Sequence, residues 1–394
     1  MSNLQERDRT YVAGTYKRFP VEIASGKGSL YFDTAGKRYI DLGTGIAVNS
    51  FGAADDVWQQ AVIDQIGKVQ HTSNLYYTEP CVRLAEMLCQ RTGMKKVFFG
   101  NSGAEANECA IKVARKWAAE ERNITDPLIV TLKGSFHGRT LTTLAATGQE
   151  HYHELFQPLT PGFVHVTAGD AEELARVMMG GRVAAVLVEC IQGEGGVIPL
   201  TQSYAAAVAE LTQRCGALLM VDEVQTGNGR TGTLYAYEQY GLKPDVVTTA
   251  KGLAGGLPLG AALLGERVEK VLGYGDHGST FGGNPVSCAG ALSILGRIDD
   301  ELLAGVREKS DFIFRELTGA PGIKGVTGLG LMIGIETEAP AAAVVNRCIE
   351  KGVLCLTAKT KVRLLPALNI PADVLAKAVA AIKEAAAELA GEEN

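Results

Sequence analysis

The chain has no long apolar run, little proline and no cysteine pair at metal-binding spacing. Its longest apolar segments, such as residues 183–191, are far shorter than the roughly 20 residues of a membrane helix, and residues 1–10 are polar. We therefore expect neither a membrane span nor a secretory signal. With 13 prolines and no three-residue period among 47 glycines, the 394-residue chain is not a collagen-like fibre.

The charge and the cysteine content argue against two further classes of ligand. The 38 basic and 44 acidic side chains give a net charge of -6, which does not favour a polyanion, so we expect no nucleic-acid partner. The eight cysteines and six histidines form no ligand pattern for a metal, and we expect no metal site. Free cysteines within apolar segments are typical of a reducing compartment, which predicts a cytoplasmic protein.

Short apolar segments alternate with helical patterns from about residue 55 onward. The predicted strands cover residues 96–100, 127–132, 163–166, 184–189, 217–222 and 245–250. Continuous apolar strands separated by amphipathic helices indicate an α/β fold, with a mostly parallel sheet and helices on both faces. The loops that follow the strands would then lie at one edge of the sheet, where α/β proteins bind ligands.

The pattern changes near residue 285. We predict one long helix from about residue 284 to 317, a second sheet with residues 325–336 at its edge, and an amphipathic helix over residues 371–390. The predicted division is an N-terminal segment (1–48) that packs with the small domain, a large domain (49–284) and a small α+β C-terminal domain (285–394).

Residues with chemical potential follow several of the predicted strands. Lys251 lies between a strand and a glycine-rich stretch, which would let its side chain move. Asp222 ends another apolar strand, where a partly buried carboxylate needs a cationic partner. Ser102 is expected to cap a helix at whose start Gly103 and Ala104 offer free N–H groups, a ready site for a phosphate.

This set of groups fits a site for pyridoxal 5′-phosphate. That cofactor needs an amine for a Schiff base, an anion facing its pyridine nitrogen and a cradle for its phosphate. Phe136 could stack on a ring, and Arg139 has the planar fork that suits a carboxylate. Each residue alone also has an ordinary interpretation, as a surface lysine, a helix cap, a core aromatic or an ion pair. Their predicted convergence on one sheet edge favours the cofactor site.

Residues 227–232 fit the G-x-G-x-x-G pattern of dinucleotide-binding proteins. That pattern needs a full helix directly after it and an acidic residue at the end of the next strand, and both are missing. Asp222 and Glu223 would also repel a pyrophosphate. We therefore do not expect a dinucleotide.

Six motifs in order resemble those of the class III pyridoxal phosphate-dependent aminotransferases of fold type I. They are NSGAEAN (101–107), FHGRT (136–140), QGEGG (192–196), DEVQTGNGRTG (222–232), AKGLAGGLPLG (250–260) and GSTFGGNP (278–285). The resemblance runs from about residue 15 to 390. It implies a homodimeric transaminase, and within the family the likeness is greatest to members that act on acylated ornithine.

The resemblance also implies roles for individual residues. Lys251 is similar to the Schiff-base lysine that also shuttles a proton, and Asp222 to the partner of the pyridine nitrogen. The other implied cofactor contacts are Ser102, Gly103, Ala104, Phe136, Val224, Gln225 and, from the second subunit of the homodimer, Thr280. The implied substrate contacts are Arg139, Ser279, Glu194 and Arg363. Glu194 and Arg363 would form a pair, in which the glutamate neutralises the arginine when the bound substrate has no carboxylate for it.

The reaction that the resemblance implies moves the δ-amino group of N-acetylornithine to 2-oxoglutarate, a step of arginine biosynthesis. Gly45 stands where ornithine-specific relatives carry a tyrosine, and it would leave room for an acylated nitrogen. Other ω-amino donors (succinylornithine, succinyldiaminopimelate, ornithine or 4-aminobutyrate), an aminomutase on the same fold and a non-catalytic cofactor-binding module remain alternatives. Residues 51–56 and Asn228 depart from the family pattern.

Overall fold

The computed structural model describes residues 3–392, in which strands and helices alternate along most of the chain. The strands are β1 (Ile23–Lys27), β2 (Leu30–Asp33), β3 (Arg38–Asp41), β4 (Lys96–Gly100), β5 (Leu128–Leu132), β6 (Phe163–Val166), β7 (Val183–Val188), β8 (Ile191–Gln192), β9 (Ile198–Pro199), β10 (Leu218–Asp222), β11 (Val246–Thr249), β12 (Gly260–Leu264), β13 (Ile323–Leu329), β14 (Met332–Thr337), β15 (Val353–Leu354), β16 (Leu356–Ala358) and β17 (Lys361–Leu364). The helices are α1 (Asn3–Tyr11), α2 (Thr44–Ala47), α3 (Asp56–Ile66), α4 (Glu79–Thr92), α5 (Gly103–Arg122), α6 (Leu141–Ala146), α7 (Ala171–Met178), α8 (Gln202–Cys215), α9 (Pro285–Leu295), α10 (Asp300–Leu317), α11 (Ala341–Glu350) and α12 (Ala372–Glu392).

The central sheet has seven strands in the order β4-β12-β11-β10-β7-β5-β6. Only β12 runs antiparallel to its neighbours, so the prediction of a mostly parallel sheet is confirmed. Successive residues of β10 are buried in different clusters: Leu218 and Met220 pack on the side of α5, whereas Leu219 and Val221 pack on the opposite side. Because both faces are covered, the strands read as continuous apolar runs.

The face of helix α5 that packs against the central sheet is made largely of small residues. Alanines recur there at every fourth position and are fully buried: Ala106, Ala110, Ala114 and Ala118. They form one row along the helix, since residues four apart share a face. The sheet presents further alanines to the same cluster, so the N-terminus of α5 is fixed at the edge of the sheet.

Two smaller sheets accompany the central one. The first has the order β1-β2-β3-β15, and its β3–β15 pair is parallel, so the N-terminal strands join the C-terminal part of the chain. The second has the order β13-β14-β17-β16 and packs against α10, α11 and α12 around one apolar cluster. The predicted division into residues 1–48, 49–284 and 285–394 stays a prediction.

The prediction of one long helix from residue 284 to 317 was wrong. The segment forms two helices, α9 and α10, with a break at residues 296–299. Asp299 takes an extended conformation and its carboxylate accepts a hydrogen bond from the Leu302 backbone N–H at 2.9 Å, which starts α10 as a new helix. The prediction relied on a continuous apolar periodicity. The chain nevertheless leaves the helix at Gly296, the C-cap of α9, and Asp299 then starts a new helix.

None of the helices within residues 3–392 is long and apolar enough to cross a membrane. The eight cysteines are free thiols, and five of them are buried.

The atypical stretch at residues 51–56 has a structural role: Asp55 caps α3 through the Trp58 backbone N–H at 2.9 Å and forms an ion pair with Arg297 at 2.7 Å. The guanidinium of Arg297 also lies 3.9 Å from the centre of the buried Phe51 ring.

One glycine couples the central sheet to the start of α5. A Cβ at Gly260, the first residue of β12, would lie 2.1 Å from the carbonyl oxygen of Ser102. Substituting Gly260 by alanine must therefore push the N-terminus of α5 away from the sheet edge. We expect Gly260→Ala to lower the free energy of unfolding by about 1–3 kcal/mol, the usual cost of overpacking, as measured by chemical denaturation.

Gly325→Ala is the matched control, because a Cβ there meets no atom within 4 Å. Its effect should stay within about 0.5 kcal/mol. Equal stabilities of the two variants would contradict the close approach at Gly260.

Candidate active site

The carboxyl ends of the parallel strands surround a cavity of about 440 Å³. Each strand of the sheet's centre contributes the residues that follow it, because parallel strands end at the same edge. The cavity is lined by Val48, Asn101, Ser102, Gly103, Ala104, Asn107, Phe136, His137, Gly138, Arg139, Glu189, Asp222, Val224, Gln225, Ala250, Lys251, Gly256, Leu257, Pro258 and Leu259. The structure thus brings together most of the residues that the sequence singled out.

Asp222 ends β10 inside a network of hydrogen bonds. Its Oδ2 lies 2.8 Å from both Asn107 Nδ2 and His137 Nδ1, and its Oδ1 accepts from the Val224 backbone N–H at 3.0 Å. Asn107 is itself fixed, because its Oδ1 accepts from the Thr248 hydroxyl at 2.7 Å. This arrangement lets a carboxylate of 4% exposure remain in the sheet edge while still facing the cavity.

Among the cavity residues that were not assigned a role from the sequence, three form a polar network at the sheet edge: Asn107, His137 and Glu189. Asn107 and His137 lie inside motifs that were noted, but only the fold shows that both side chains converge on Asp222. Glu189 directly follows the apolar strand β7, just as Asp222 ends the apolar strand β10. This similar position in the sequence could have predicted that Glu189 also lies at the cavity. Its carboxylate accepts the backbone N–H groups of Phe136 at 3.0 Å and Gly193 at 3.4 Å.

Burial makes Glu189 a weaker acid than an ordinary glutamate, although these two hydrogen bonds act in the opposite direction. Burial raises the pKa of Glu189 to about 7, with His137 opposing and the neighbouring Asp222 adding to the increase. Burial likewise raises the pKa of Glu223, which lies behind Asp222, to about 7. One carboxyl group that lines the cavity, Glu189, and one buried behind it, Glu223, therefore stay protonated well above their ordinary range.

Lys251 follows β11 with a backbone conformation that is rare for a residue with a side chain. Its φ is 46°, in the left-handed region, which costs about 1–3 kcal/mol and needs the surroundings to impose it. Burial lowers the pKa of Lys251; Glu194 opposes this, whereas Arg363 lowers it further. A lysine in this environment loses its proton more readily than a lysine on the surface, which suits an amine that must act as a nucleophile or base.

The start of α5 forms a concave group of backbone donors. Ser102 caps the helix by accepting the Glu105 backbone N–H at 3.2 Å, as predicted. The N–H groups of Gly103 and Ala104 have no hydrogen-bond partner within residues 3–392. A Cβ at Gly103 would lie 2.6 Å from Val224, so only glycine leaves the cradle open beside that side chain. Free N–H groups at a helix start bind anions.

Arg363 and Glu194 form an ion pair next to the cavity. Arg363 Nη1 lies 2.5 Å from Glu194 Oε1 and 3.1 Å from Gln225 Oε1. The arginine is 3% exposed, and its Nε lacks a partner among the described residues. Burial would raise the pKa of Glu194, but the charge and hydrogen bond of Arg363 outweigh it and the pKa is lowered.

Besides Glu194 and Arg363, two further predicted site residues, Ser279 and Thr280, do not line the cavity within this single chain. Ser279 reaches its margin, since its hydroxyl accepts from Asn101 Nδ2 at 3.1 Å. Thr280 is exposed in a separate concavity beside Asn74 and Leu75. The chain alone therefore does not bring Thr280 to Lys251.

Gly45 lies in α2, whose four residues all have positive φ, so this element is a left-handed turn rather than an ordinary helix. The buried Asp41 holds the turn by accepting the backbone N–H groups of Gly43 at 2.8 Å and Thr44 at 3.0 Å. Gly45 is exposed and does not line the cavity, whereas Val48, at the end of the turn, does.

These residues fit pyridoxal 5′-phosphate by their chemistry. The fit rests on the open glycine cradle at the start of α5, on a buried carboxylate that faces the cavity, and on a lysine whose pKa is lowered. The phosphate would be held by the Gly103 and Ala104 N–H groups, and the pyridine nitrogen by Asp222. Within residues 3–392, no three His, Cys, Asp or Glu side chains are grouped so as to hold a metal ion.

The raised pKa of Glu189 predicts how stability depends on pH. Between about pH 4.5 and pH 7 the folded protein keeps a proton on Glu189 that the unfolded chain has lost, so stability falls as pH rises through this window. We expect Glu189→Gln to reduce that slope by about 1.4 kcal/mol per pH unit. The free energy of unfolding of the apoprotein, measured at several pH values from 5 to 7, tests this.

The control is Glu210→Gln, whose side chain is 73% exposed on α8 and whose substitution should leave the slope unchanged. A Glu189→Gln protein with the slope of the parent chain would show that Glu189 is already ionised when folded.

Comparisons with known proteins agree with this geometry. The sequence model of the family described as aminotransferase class-III matches residues 11–386. The acetylornithine aminotransferase of Haemophilus ducreyi is 48% identical over 388 residues, which cover 98% of this chain and 99% of that protein.

Two solved structures share the fold over nearly their whole length. The ornithine aminotransferase of Toxoplasma gondii, with pyridoxal phosphate at partial occupancy in its active site, has a TM-score of 0.94 at 32% identity, covering 99% of this chain and 95% of that chain. The N-acetylornithine aminotransferase of Stenotrophomonas maltophilia K279a has a TM-score of 0.85 at 34% identity, covering 98% and 99%. The predicted fold type is thus confirmed, and the chain belongs to the class-III aminotransferase family, whose cofactor is pyridoxal 5′-phosphate.

Proposed function

We propose that this aminotransferase moves the δ-amino group of N2-acetyl-L-ornithine to 2-oxoglutarate, which gives N-acetyl-L-glutamate 5-semialdehyde and L-glutamate in arginine biosynthesis. The observation that carries the proposal is the pair of arginines at the cavity. Arg363 is neutralised by Glu194, whereas Arg139 has no acidic partner within residues 3–392. Such a site can take a substrate with one carboxylate and a substrate with two. The names of the relatives, acetylornithine aminotransferases, support the same substrate.

When bound, pyridoxal 5′-phosphate supplies an aldehyde for the amino group and an electron-poor ring that stabilises negative charge on the reacting carbon. Lys251 would hold the cofactor between turnovers and then move the proton of the reacting carbon. Its lowered pKa favours the neutral amine that this requires. Asp222 would face the pyridine nitrogen, oriented by Asn107 and His137.

The remaining cofactor contacts follow from the cavity wall. Gly103 and Ala104, with Ser102 as the cap, would bind the phosphate. The lining side chains of Phe136, Val224 and Gln225 would enclose the ring. We propose that Thr280 completes the phosphate site of a second copy of the chain, so that the active enzyme is a homodimer. Its exposed position outside the cavity of its own chain is consistent with this.

The substrate contacts follow from charge. Arg139, at the cavity mouth, would bind the carboxylate far from the reacting carbon, with Ser279 at the margin. Glutamate carries a second carboxylate next to its amine, and Arg363 would bind that one. N-acetylornithine has no carboxylate at its δ-amine end. Glu194 would then stay paired with Arg363, so that this buried cation is not left without a partner next to the substrate.

Ornithine is the second candidate substrate, because an ornithine aminotransferase has the higher TM-score of the two structures compared. Backbone similarity reports the fold, however, and substrate choice depends on side chains. Gly45, where the resemblance places a tyrosine in ornithine-specific relatives, has no side chain that could hold a free α-amine. The free thiols support the proposed cytoplasmic location.

A panel of half-reactions tests the proposed function. Each candidate amine is added to the purified holoenzyme without an acceptor, and loss of the visible absorbance of the bound cofactor is followed. N-acetylornithine should react with a larger kcat/KM than ornithine, succinylornithine, succinyldiaminopimelate or 4-aminobutyrate. No reaction with any amine would indicate a binding module, and turnover of a single amino acid without 2-oxoglutarate would indicate an aminomutase.

Lys251→Ala should remove the visible absorbance and lower turnover together, by about 100-fold to 10,000-fold, the usual contribution of a general acid–base residue. The exposed Lys243→Ala, eight residues earlier, should change neither signal. Turnover that survives in Lys251→Ala would overturn the assignment of this lysine.

Glu194→Gln should slow the N-acetylornithine half-reaction about 10-fold more than the glutamate half-reaction, because the amide no longer neutralises the buried Arg363. The two half-reactions are measured separately by single-turnover absorbance changes. Arg363→Met should have the reverse preference, with the larger loss for glutamate. An equal loss of rate in both half-reactions of Glu194→Gln would contradict the proposal that Arg363 pairs with Glu194 in one half-reaction and with the carboxylate of glutamate in the other.

A further inference from the structure

Arg139 differs from the other cavity arginine in how it is held. Arg363 has a carboxylate partner, but Arg139 forms neither a hydrogen bond nor an ion pair with any residue from 3 to 392. A long exposed side chain without a partner has considerable rotational freedom, and fixing it costs about 1.5–2 kcal/mol. A specific carboxylate site at Arg139 therefore needs something else that orients the guanidinium.

Two aromatic rings do so in this structure. The guanidinium carbon of Arg139 lies 4.5 Å from the centre of the Tyr152 ring and 5.7 Å from the centre of the Phe136 ring. The two rings meet edge to face, with centres 5.9 Å apart and an interplanar angle of 70°. Both distances to the arginine are within the range of a cation–π interaction, and that to Tyr152 is the shorter.

Tyr152 is itself held by its neighbours on both sides. It ends a short 3₁₀ turn, Glu150–Tyr152, which lies between two buried side chains. On one side, Gln149 Nε2 donates to the Ser135 carbonyl oxygen at 3.0 Å. On the other, His153 Nε2 donates to the Leu144 carbonyl oxygen at 2.9 Å. These two bonds hold the chain on both sides of Tyr152. The ring itself packs against the Phe136 ring and against the His151 ring, whose centre is 3.9 Å away.

An aromatic support has a different effect on a substrate from that of an acidic one. A carboxylate next to Arg139 would neutralise it and compete with the carboxylate of the substrate. An aromatic ring attracts the cation weakly and leaves the edge of the guanidinium, with its N–H groups, free to bind. The Arg363–Glu194 pair is the opposite case, because there the protein itself supplies a carboxylate that competes with the carboxylate of the substrate.

We infer that Tyr152 is a positioning residue that determines specificity, because its ring orients Arg139 to bind the carboxylate far from the reacting amine. This inference rests on the proposed function, in which Arg139 makes that contact. The chemical class recognised is an ω-amine or 2-oxo acid that carries a carboxylate at its distal end.

The test compares two amines that differ only in this group. N-acetyl-1,4-diaminobutane is N-acetylornithine without its carboxylate. Tyr152→Leu, which removes the ring but keeps an apolar side chain, should raise KM for N-acetylornithine about threefold to tenfold, the range of a partly exposed cation–π contact. Its kcat should change by no more than about twofold, because binding is lost equally in ground and transition states. The reaction of N-acetyl-1,4-diaminobutane should be unaffected.

Three further variants make the result specific. Tyr152→Phe keeps the ring and should restore KM to within about twofold of the parent value. Phe156→Leu removes an exposed ring from the same segment, four residues along, and is the matched control. In Arg139→Gln, adding Tyr152→Leu should cost nothing more, since a residue that acts through Arg139 has no effect without it.

An equilibrium measurement separates this inference from the proposed reaction. The holoenzyme is titrated with glutarate, which has two carboxylates but no reactive group, and the dissociation constant is measured by calorimetry. Tyr152→Leu should weaken glutarate binding about threefold to tenfold. A parent enzyme that rejects N-acetylornithine would overturn the proposed function but leave this readout intact. Unchanged glutarate affinity, or an equal loss for both amines, would overturn the role of Tyr152.

Discussion

Burial of the Asp222 carboxylate is the constraint on which the site depends. A carboxylate withdrawn from water costs several kcal/mol unless hydrogen bonds replace the lost solvation. Here the donors come from three places: Asn107 in α5, His137 after β5, and the backbone of Val224. Because Asn107 and His137 must both reach this side chain, they restrict how α5 and the segment after β5 can lie relative to β10. The start of α5, with its free N–H groups, is thereby fixed relative to the carboxylate.

Much of this arrangement could be predicted from the sequence, because buried strands have a strong pattern. The apolar runs located six of the seven strands of the central sheet and missed only the antiparallel β12. The rule that parallel strands end at one edge placed Asp222, Lys251 and Phe136 around one cavity. The same reasoning could not find Asn107 or His137 as partners of Asp222. Asn107 lies 115 positions and His137 lies 85 positions before Asp222 in the sequence. No local sequence pattern records contacts over such distances.

Other features depend on contacts that a single sequence does not contain. The break between α9 and α10 comes from one capping aspartate within an otherwise helical pattern. The glycines at residues 325–334 had no account from the sequence. A Cβ at Gly330 would lie 2.5 Å from the backbone of Thr231, so the hairpin of β13 and β14 approaches the glycine loop after β10 at backbone distance. Thr280 lies outside its own chain's cavity, and no local sequence pattern records that position either.

That same loop contains Arg230, which is buried and donates to the carbonyl oxygens of Leu331 and Pro366. Its partners lie 101 and 136 residues further along the chain. During synthesis, therefore, the central sheet can form while this guanidinium still lacks its acceptors, and the loop next to the site can reach its final state only after residue 366 has left the ribosome. Contacts of such sequence separation are slow to form because the intervening chain must first be closed into a loop. The loop after β10, which carries Val224 and Gln225 to the cavity, therefore depends for its final hydrogen bonds on residues synthesised more than 100 positions later.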